Sequence, residues 1–201
     1  YKMINIPLVQ EEIKKNIKII ENKINYVFEE VIIILDGLKF SCNNVSGSKK
    51  LNGSQVLKEN ISYILNLLKS AIIDNEVEKT ILHIFNSKSI LDGNHVQNIP
   101  IGAFGDFYNH ELSFLLIKNS DFKNIKRIFN KNNLNIKKIL VKKFVEGTQI
   151  IEQNDNLETF FKIKINKSNS YIIFFDHSSF RFIEYFDFGT DIILQDIKKI
   201  C

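Results

Sequence analysis

The sequence predicts a mixed α and β protein, of the α/β or α+β class, and three observations carry that reading. Apolar residues recur at helical spacing in two long segments, 10–25 and 55–73. Short apolar runs such as "VIIIL" (31–35) and "TILHIF" (80–85) fall between the helical segments and read as strands. Toward the end, "FKIKI" (161–165) and "FRFIEYF" (180–186) alternate with period two, the pattern of half-buried strands in a hairpin-rich tail. Helices and strands that alternate along a chain pack as layers about a common core.

In order, residues 10–25 form a helix with Ile13, Ile17, Ile20 and Ile24 three and four apart. Strand 31–35 runs into Asp36-Gly37, a tight-turn pair, and a short second strand spans 40–45. Residues 47–53, rich in Gly, Ser, Lys and Asn, read as a polar turn. The helix over 55–73 places Leu57, Ile61, Ile64, Leu65, Leu68 and Ile72 on one face, with Ser54 as its N-cap. Strand 80–85 continues into 87–91. The stretch "DGNHVQNIPIGAFG" (92–105), with three glycines and Pro100, reads as a loop. Strand 108–117, helix 121–130 with Asp121 in its first turn, strand 136–141 and a short helix 145–151 follow. Strands 160–165, 171–175 and 180–187 and a final helix 191–200 complete the chain, without internal repeats.

The 201 residues suffice for one or two domains with a real core, and 25% charged and 44% hydrophobic residues are ordinary for a globular protein. The lysines are spread among acids and the net charge is only +4, so nucleic-acid binding is not expected. Cys42 and Cys201 read as reduced thiols, since a disulfide framework needs more cysteines. No apolar run approaches the ~20 residues of a membrane span, and no signal peptide is visible. The chain does not begin with Met and reads as a piece of a longer protein. His83, His95, His110 and His177 do not stand at metal-ligand spacing, so no metal site is expected, and His83 reads as a packed strand residue. Asp106 with Glu111, and Glu29 with Glu30, read as solvated acids. No Gly-x-Ser-x-Gly elbow, Walker loop or Gly-x-Gly-x-x-Gly occurs, and catalysis is not expected.

The order of motifs does carry a resemblance. "FEEVIIILDGLKFSCNNVSGSKKL" (28–51) places Asp36-Gly37, then Ser41-Cys42-Asn43-Asn44, then Gly47 in succession. "KTILHIFNSKSILDG" (79–93) supplies Leu82, His83, Ile84 and Asp92, and "NIPIGAFG" (98–105) supplies Pro100, Gly102 and Gly105. Together these resemble the bacterial actin-like cell-division family FtsA, where the first lobe hands over to an inserted subdomain. An actin-like pilus-assembly family shares that subdomain and is the alternative. "ELSFLLI" (111–117) matches the strand leaving the insertion, and Gly189 with Asp196 matches the start of a later helix.

The resemblance implies an actin-like, ribonuclease H-like architecture. Residues 1–37 and 118–155 would belong to the first lobe, 38–117 to an inserted strand–helix–strand–strand subdomain, and 156–201 to the start of the second lobe. It implies a scaffold or adaptor at the inner, cytoplasmic face of the membrane at the division site. There the family joins FtsZ filaments to the membrane, self-associates and recruits later division proteins. The FtsZ-binding and membrane-binding parts would lie outside this chain. Loop residues Asn43, Asn44, Gly47 and Lys49, and Gly93, Asn94, Pro100, Gly102 and Gly105, are the candidate partner contacts. The family binds ATP with magnesium through a loop of acids and glycines, Asp-x-Gly-Gly-Gly-Thr-x-Asp. The matching stretch here is "KINKSNSY" (164–171), where Lys164 and Tyr171 stand for the acids and Asn166, Lys167 and Ser168 for the glycines. Side chains obstruct the close backbone approach that phosphate needs, so Asn166, Lys167, Ser168 and Asn169 form a degenerate phosphate loop. No cofactor is expected from this chain. The alternatives are an ATP-binding protein of the pilus-assembly type and a nucleotide-dependent polymerising ATPase.

Overall fold

A computed structural model describes residues 5–154 and 156–200. Its strands fall into three sheets. Helix α1 (Ile6–Ile24) leads to β1 (Glu30–Leu35), which pairs in parallel with β6 (Asn135–Val141). Between those two strands in sequence, the chain forms an antiparallel sheet of β2 (Ser41–Lys50), β3 (Lys79–Leu91), β4 (Asn94–Val96) and β5 (Phe107–Lys118) in the order β2-β5-β3-β4. Helix α2 (Lys58–Asn75) packs on one face of it. Helices α3 (Asn119–Asn130) and α4 (Lys142–Glu152) flank β6. The chain continues as an antiparallel sheet of β7 (Phe160–Ile165), β8 (Ser170–Asp176) and β9 (Ser179–Phe186), then α5 (Thr190–Ile200).

Two cores meet at β5. Tyr108, Leu112, Phe114 and Leu116 point toward α2 and pack with Ile64, Leu68 and Ile72. Leu115 and Ile117, one residue out of phase, point to the opposite face. They join Ile33 and Leu35 of β1, Ile139 and Val141 of β6, and Tyr171, Ile173, Phe175, Phe180 and Ile183 of β8 and β9. Period-two alternation on an interior strand therefore serves two clusters at once. Each fully buried Phe or Leu side chain contributes about 1.5–3 kcal/mol to such a core.

Four expectations from the sequence change. Residues 47–50 continue β2 instead of turning, and a Cβ on Gly47 would lie 2.8 Å from Cγ2 of buried Ile64. Glycine is there for close helix–strand packing, and the turn is confined to Asn52-Gly53. Ser54 does not cap α2. Val56 exchanges backbone hydrogen bonds with Gly102 and Ala103, so residues 55–57 stay extended and the helix starts at Lys58, with the Asn60 side chain accepting from the Leu57 N–H. Part of the 92–105 loop is strand β4, reached through a tight turn at Asp92-Gly93, both with positive φ. Finally, Ile13 and Ile17 of α1 are half-buried but Ile20 and Ile24 are exposed, so only part of that apolar stripe is covered. No helix among the described residues is long and apolar enough to cross a membrane.

Gly147 marks the tightest seam between α4 and the third sheet. A Cβ there would lie 2.2 Å from Cε2 and 2.4 Å from Cζ of Phe175, which is fully buried. Gly147→Ala is expected to destabilise the protein by about 2–3 kcal/mol through overpacking, outweighing the ~1 kcal/mol that alanine adds to a helix. Urea denaturation measures it, and an unchanged or higher midpoint would mean that α4 is not seated on Phe175.

Candidate functional site

Because β1 and β6 run in parallel, with Leu35 opposite Val141, both end on the same side of their sheet. The chain turns there at Asp36-Gly37 and at Lys142-Lys143. Ligand crevices in α/β sheets lie off the carboxyl ends of strands, and here a cavity of about 730 Å³ opens at that place. One wall is residues 35–39. The other is the β7–β8 turn, Asn166 to Asn169, with Lys164 and Tyr171 beside it and Tyr185 to Asp187 from the end of β9.

The turn at the end of β1 is held by its own carboxylate. Asp36 Oδ1 accepts from the Gly37 N–H at 2.9 Å, where φ is +77°, and Oδ2 accepts from Lys142 Nζ at 2.9 Å. The Lys142 hydrogen bond, with the Gly37 N–H behind it, holds the Asp36 carboxyl below its ordinary pKa despite some burial.

Lys143, the next residue, turns inward and is 4% exposed. Its Nζ lies 4.8 Å from the Tyr171 ring centre, 5.4 Å from that of Tyr185 and 5.7 Å from that of Phe40. The Leu38 carbonyl stands 3.5 Å away. Three ring faces and a carbonyl thus form the surroundings of a buried ammonium. Desolvation lowers the Lys143 pKa, and the nearby Asp36 charge partly offsets it. Tyr185 Oη accepts from the Phe40 N–H at 3.0 Å and donates to the Leu38 carbonyl at 3.4 Å. Burial pushes the hydroxyls of Tyr171 and Tyr185 up to about 12.

On the opposite wall the Asn166 N–H donates to the Asn169 carbonyl at 2.9 Å, which leaves Lys167 and Ser168 at the tip of the turn. The first free N–H groups of α5 are spent on this turn: Thr190 donates to the Asn166 carbonyl and Asp191 to the Lys167 carbonyl, each at 3.0 Å. A helix N-terminus can hold phosphate only with donors to spare. Gly189 lets α5 come this close, since a Cβ there would sit 2.3 Å from the Asn166 oxygen.

Lys39, Lys143, Lys164 and Lys167 line the cavity against Asp36 and Asp187. Asp36 is paired with Lys142, and Asp187 with Lys39 at 3.5 Å. Among the described residues no three His, Cys, Asp or Glu side chains group closely enough to hold a metal. The two carboxylates of the cavity are both engaged by lysines, a poor match to a magnesium-assisted phosphate site, where one or two free acids hold the ion and its waters. What the lining residues can do is place uncompensated positive charge in a partly enclosed space.

The structure brings Asn166, Lys167, Ser168 and Asn169 to this cavity with Asp36-Gly37. The candidate contact residues lie elsewhere. Asn43, Asn44, Gly47 and Lys49 are not in a loop but on β2, an edge strand of its sheet. The Asn43 side chain donates to Glu76 at 2.8 Å, Asn44 accepts from Ser113, and Lys49 lies over the Tyr63 ring. Gly93 and Asn94 sit at the β3–β4 turn. Pro100, Gly102 and Gly105 belong to a segment tied to residues 51–56, with Gly102 donating to the Val56 carbonyl and Gly105 to that of Ser54. The sequence reading missed Lys143 and Tyr185. Adjacent lysines after a strand are usually solvated, and nothing local marks one of them as enclosed. Cys42 is a free thiol that donates to the Arg181 carbonyl and is pushed up to about 12 by burial. Cys201 lies outside the described residues.

The layout of a two-strand parallel sheet, an inserted antiparallel sheet and a second hairpin sheet is that of an actin-like fold, and comparison with solved structures bears this out. The chain is similar to one in a structure described as "PilM-PilN type IV pilus biogenesis complex", with a TM-score of 0.57 and 10% identity. The match covers 92% of this chain and 49% of the other, so this chain spans about half the length of that relative. No protein-family model and no curated protein matches the sequence. The likeness thus lies in the fold.

The caged tyrosines set an alkaline limit. Unfolded tyrosine ionises near 10, while Tyr171 and Tyr185 hold their protons to about 12 when folded. The folded state binds more protons across that interval, so stability is expected to fall as pH rises from 10 toward 12. Urea midpoints at pH 8 and pH 11 check this, and the drop should shrink in a Tyr171→Phe/Tyr185→Phe variant.

Proposed function

We propose that this chain is part of an actin-like scaffold of the pilus-assembly type that works through protein contacts and without catalysis. The observation that carries the reading is the fold match over 92% of the chain to the PilM–PilN complex. Side chains at Asn166, Lys167 and Ser168, where the resembled motif has glycines, and the ion-paired carboxylates of the cavity support the absence of catalysis. The protein would act at the cytoplasmic face of the membrane by binding a partner there. The open edge of β2, with Asn44 and Lys50 exposed along it, is the contact surface of this reading, since an unpaired edge can accept a strand. A division adaptor resembling FtsA is the second reading, supported by the order of Asp36-Gly37, Leu82-His83-Ile84, Asp92, Pro100, Gly102 and Gly105 along the sequence.

Calorimetry with the full-length protein separates the two. Binding to the PilN-type protein of the same cell, and none to its FtsZ, is the expected result; the reverse would replace the first reading with the second. In the same instrument magnesium-ATP should give no micromolar binding. Tight, magnesium-dependent binding that Lys167→Ala abolishes would overturn the non-nucleotide part of the proposal.

A further inference from the structure

A second cavity, of about 480 Å³, lies between β3 and β4 on one side and the β8–β9 turn on the other. It is lined by polar groups, among them Ser87, Ser89, Glu158 and two histidines that the sequence keeps far apart, His95 and His177. The ring centres of these histidines are 5.2 Å apart with their planes tilted by 38°. A tetrahedral metal ion with metal–nitrogen bonds of about 2.0–2.1 Å places the centres of two ligating imidazoles about 5 Å apart. The observed separation is compatible with a shared ion.

His177 is also prepared for the role. Its Nδ1 lies 2.8 Å from Asp176 Oδ1, an arrangement that fixes the ring and leaves Nε2 as the free electron pair. Asp176 is held in turn by Lys88 Nζ at 3.3 Å, so the nearest cation is engaged with the carboxylate. The turn itself is anchored by the Ser178 N–H, which donates to the Glu158 carbonyl at 2.7 Å.

We propose that His95 and His177 form a two-imidazole site for a divalent transition-metal ion, with Asp176 orienting His177 and water completing the coordination. The absence of a third protein ligand among the described residues makes it an open site of modest affinity, suited to imidazole-preferring ions such as Ni²⁺, Cu²⁺ and Zn²⁺. An ion bound there ties the inserted sheet to the third sheet. The proposal is independent of the assembly reading.

The test is a Ni²⁺ titration of the full chain by calorimetry under a non-chelating reductant, with thermal unfolding alongside. One saturable site and a metal-dependent rise in melting temperature are expected. His95→Gln and His177→Asn should each weaken binding at least tenfold and remove the rise; asparagine suits position 177 because its φ is +48°. Asp176→Asn should weaken binding by about 10–100-fold, whereas Lys88→Met, which breaks the same ion pair, should leave the site in place. Unchanged affinity in the His95→Gln/His177→Asn double variant would mean adventitious uptake elsewhere, and that result, or the absence of saturable binding, overturns the proposal.

Discussion

Strand β5 has to satisfy two cores with one sequence. Its even-numbered residues from Tyr108 to Leu116 serve α2, and Leu115 and Ile117 serve the cluster shared by β1, β6, β8 and β9. A shift of one residue would exchange the two sets and leave both cores wrong. Its neighbours hold the register from either side: Ser41 pairs with Leu116 on one edge and Thr80 with Ile117 on the other. The position of the inserted sheet relative to the first and third sheets follows from this strand.

The cavity beside the shared core is lined by lysines and ringed by aromatic side chains. The β7–β8 turn carries Lys167 and Ser168 at its tip and gives the Asn166 and Lys167 carbonyls to α5. Lys143 is held among Phe40, Tyr171 and Tyr185. A buried ammonium has a desolvation cost that aromatic faces and a single carbonyl offset only in part. The lowered pKa of Lys143 is the sign of that imbalance.

Much of this was legible in the residues. Period-two runs placed β7 and β9 to within a residue or so, and the apolar stripe of α2 identified Ile64, Leu68 and Ile72 as core. Composition misled where backbone pairing overrode it. Gly47, Ser48 and Lys49 look like a turn, yet they lie opposite His110, Asn109 and Tyr108 in an unbroken ladder. Ser54 looks like a cap, but the pairing of Val56 with the 100–105 segment delays the helix. The site was half visible: the turn at 166–169 stood out as an altered motif, while the enclosure of Lys143 depends on rings contributed by three separate strands and loops. The approach of His95 to His177 is likewise a product of topology, with no local pattern to announce it.

The pairing of Ser41 with Leu116 and of Cys42 with Leu115 brings the two ends of the inserted segment together. Without that pairing, joining β1 to β6 would mean closing a loop of roughly a hundred residues, with an entropy cost that rises with the logarithm of its length. Once the inserted sheet has formed on its own core with α2, the same junction spans only the short link from β1 to β2 and helix α3 with its turn before β6. The insertion thereby acts as a staple that shortens the path between two distant parallel strands, and the first sheet inherits its proximity from the second.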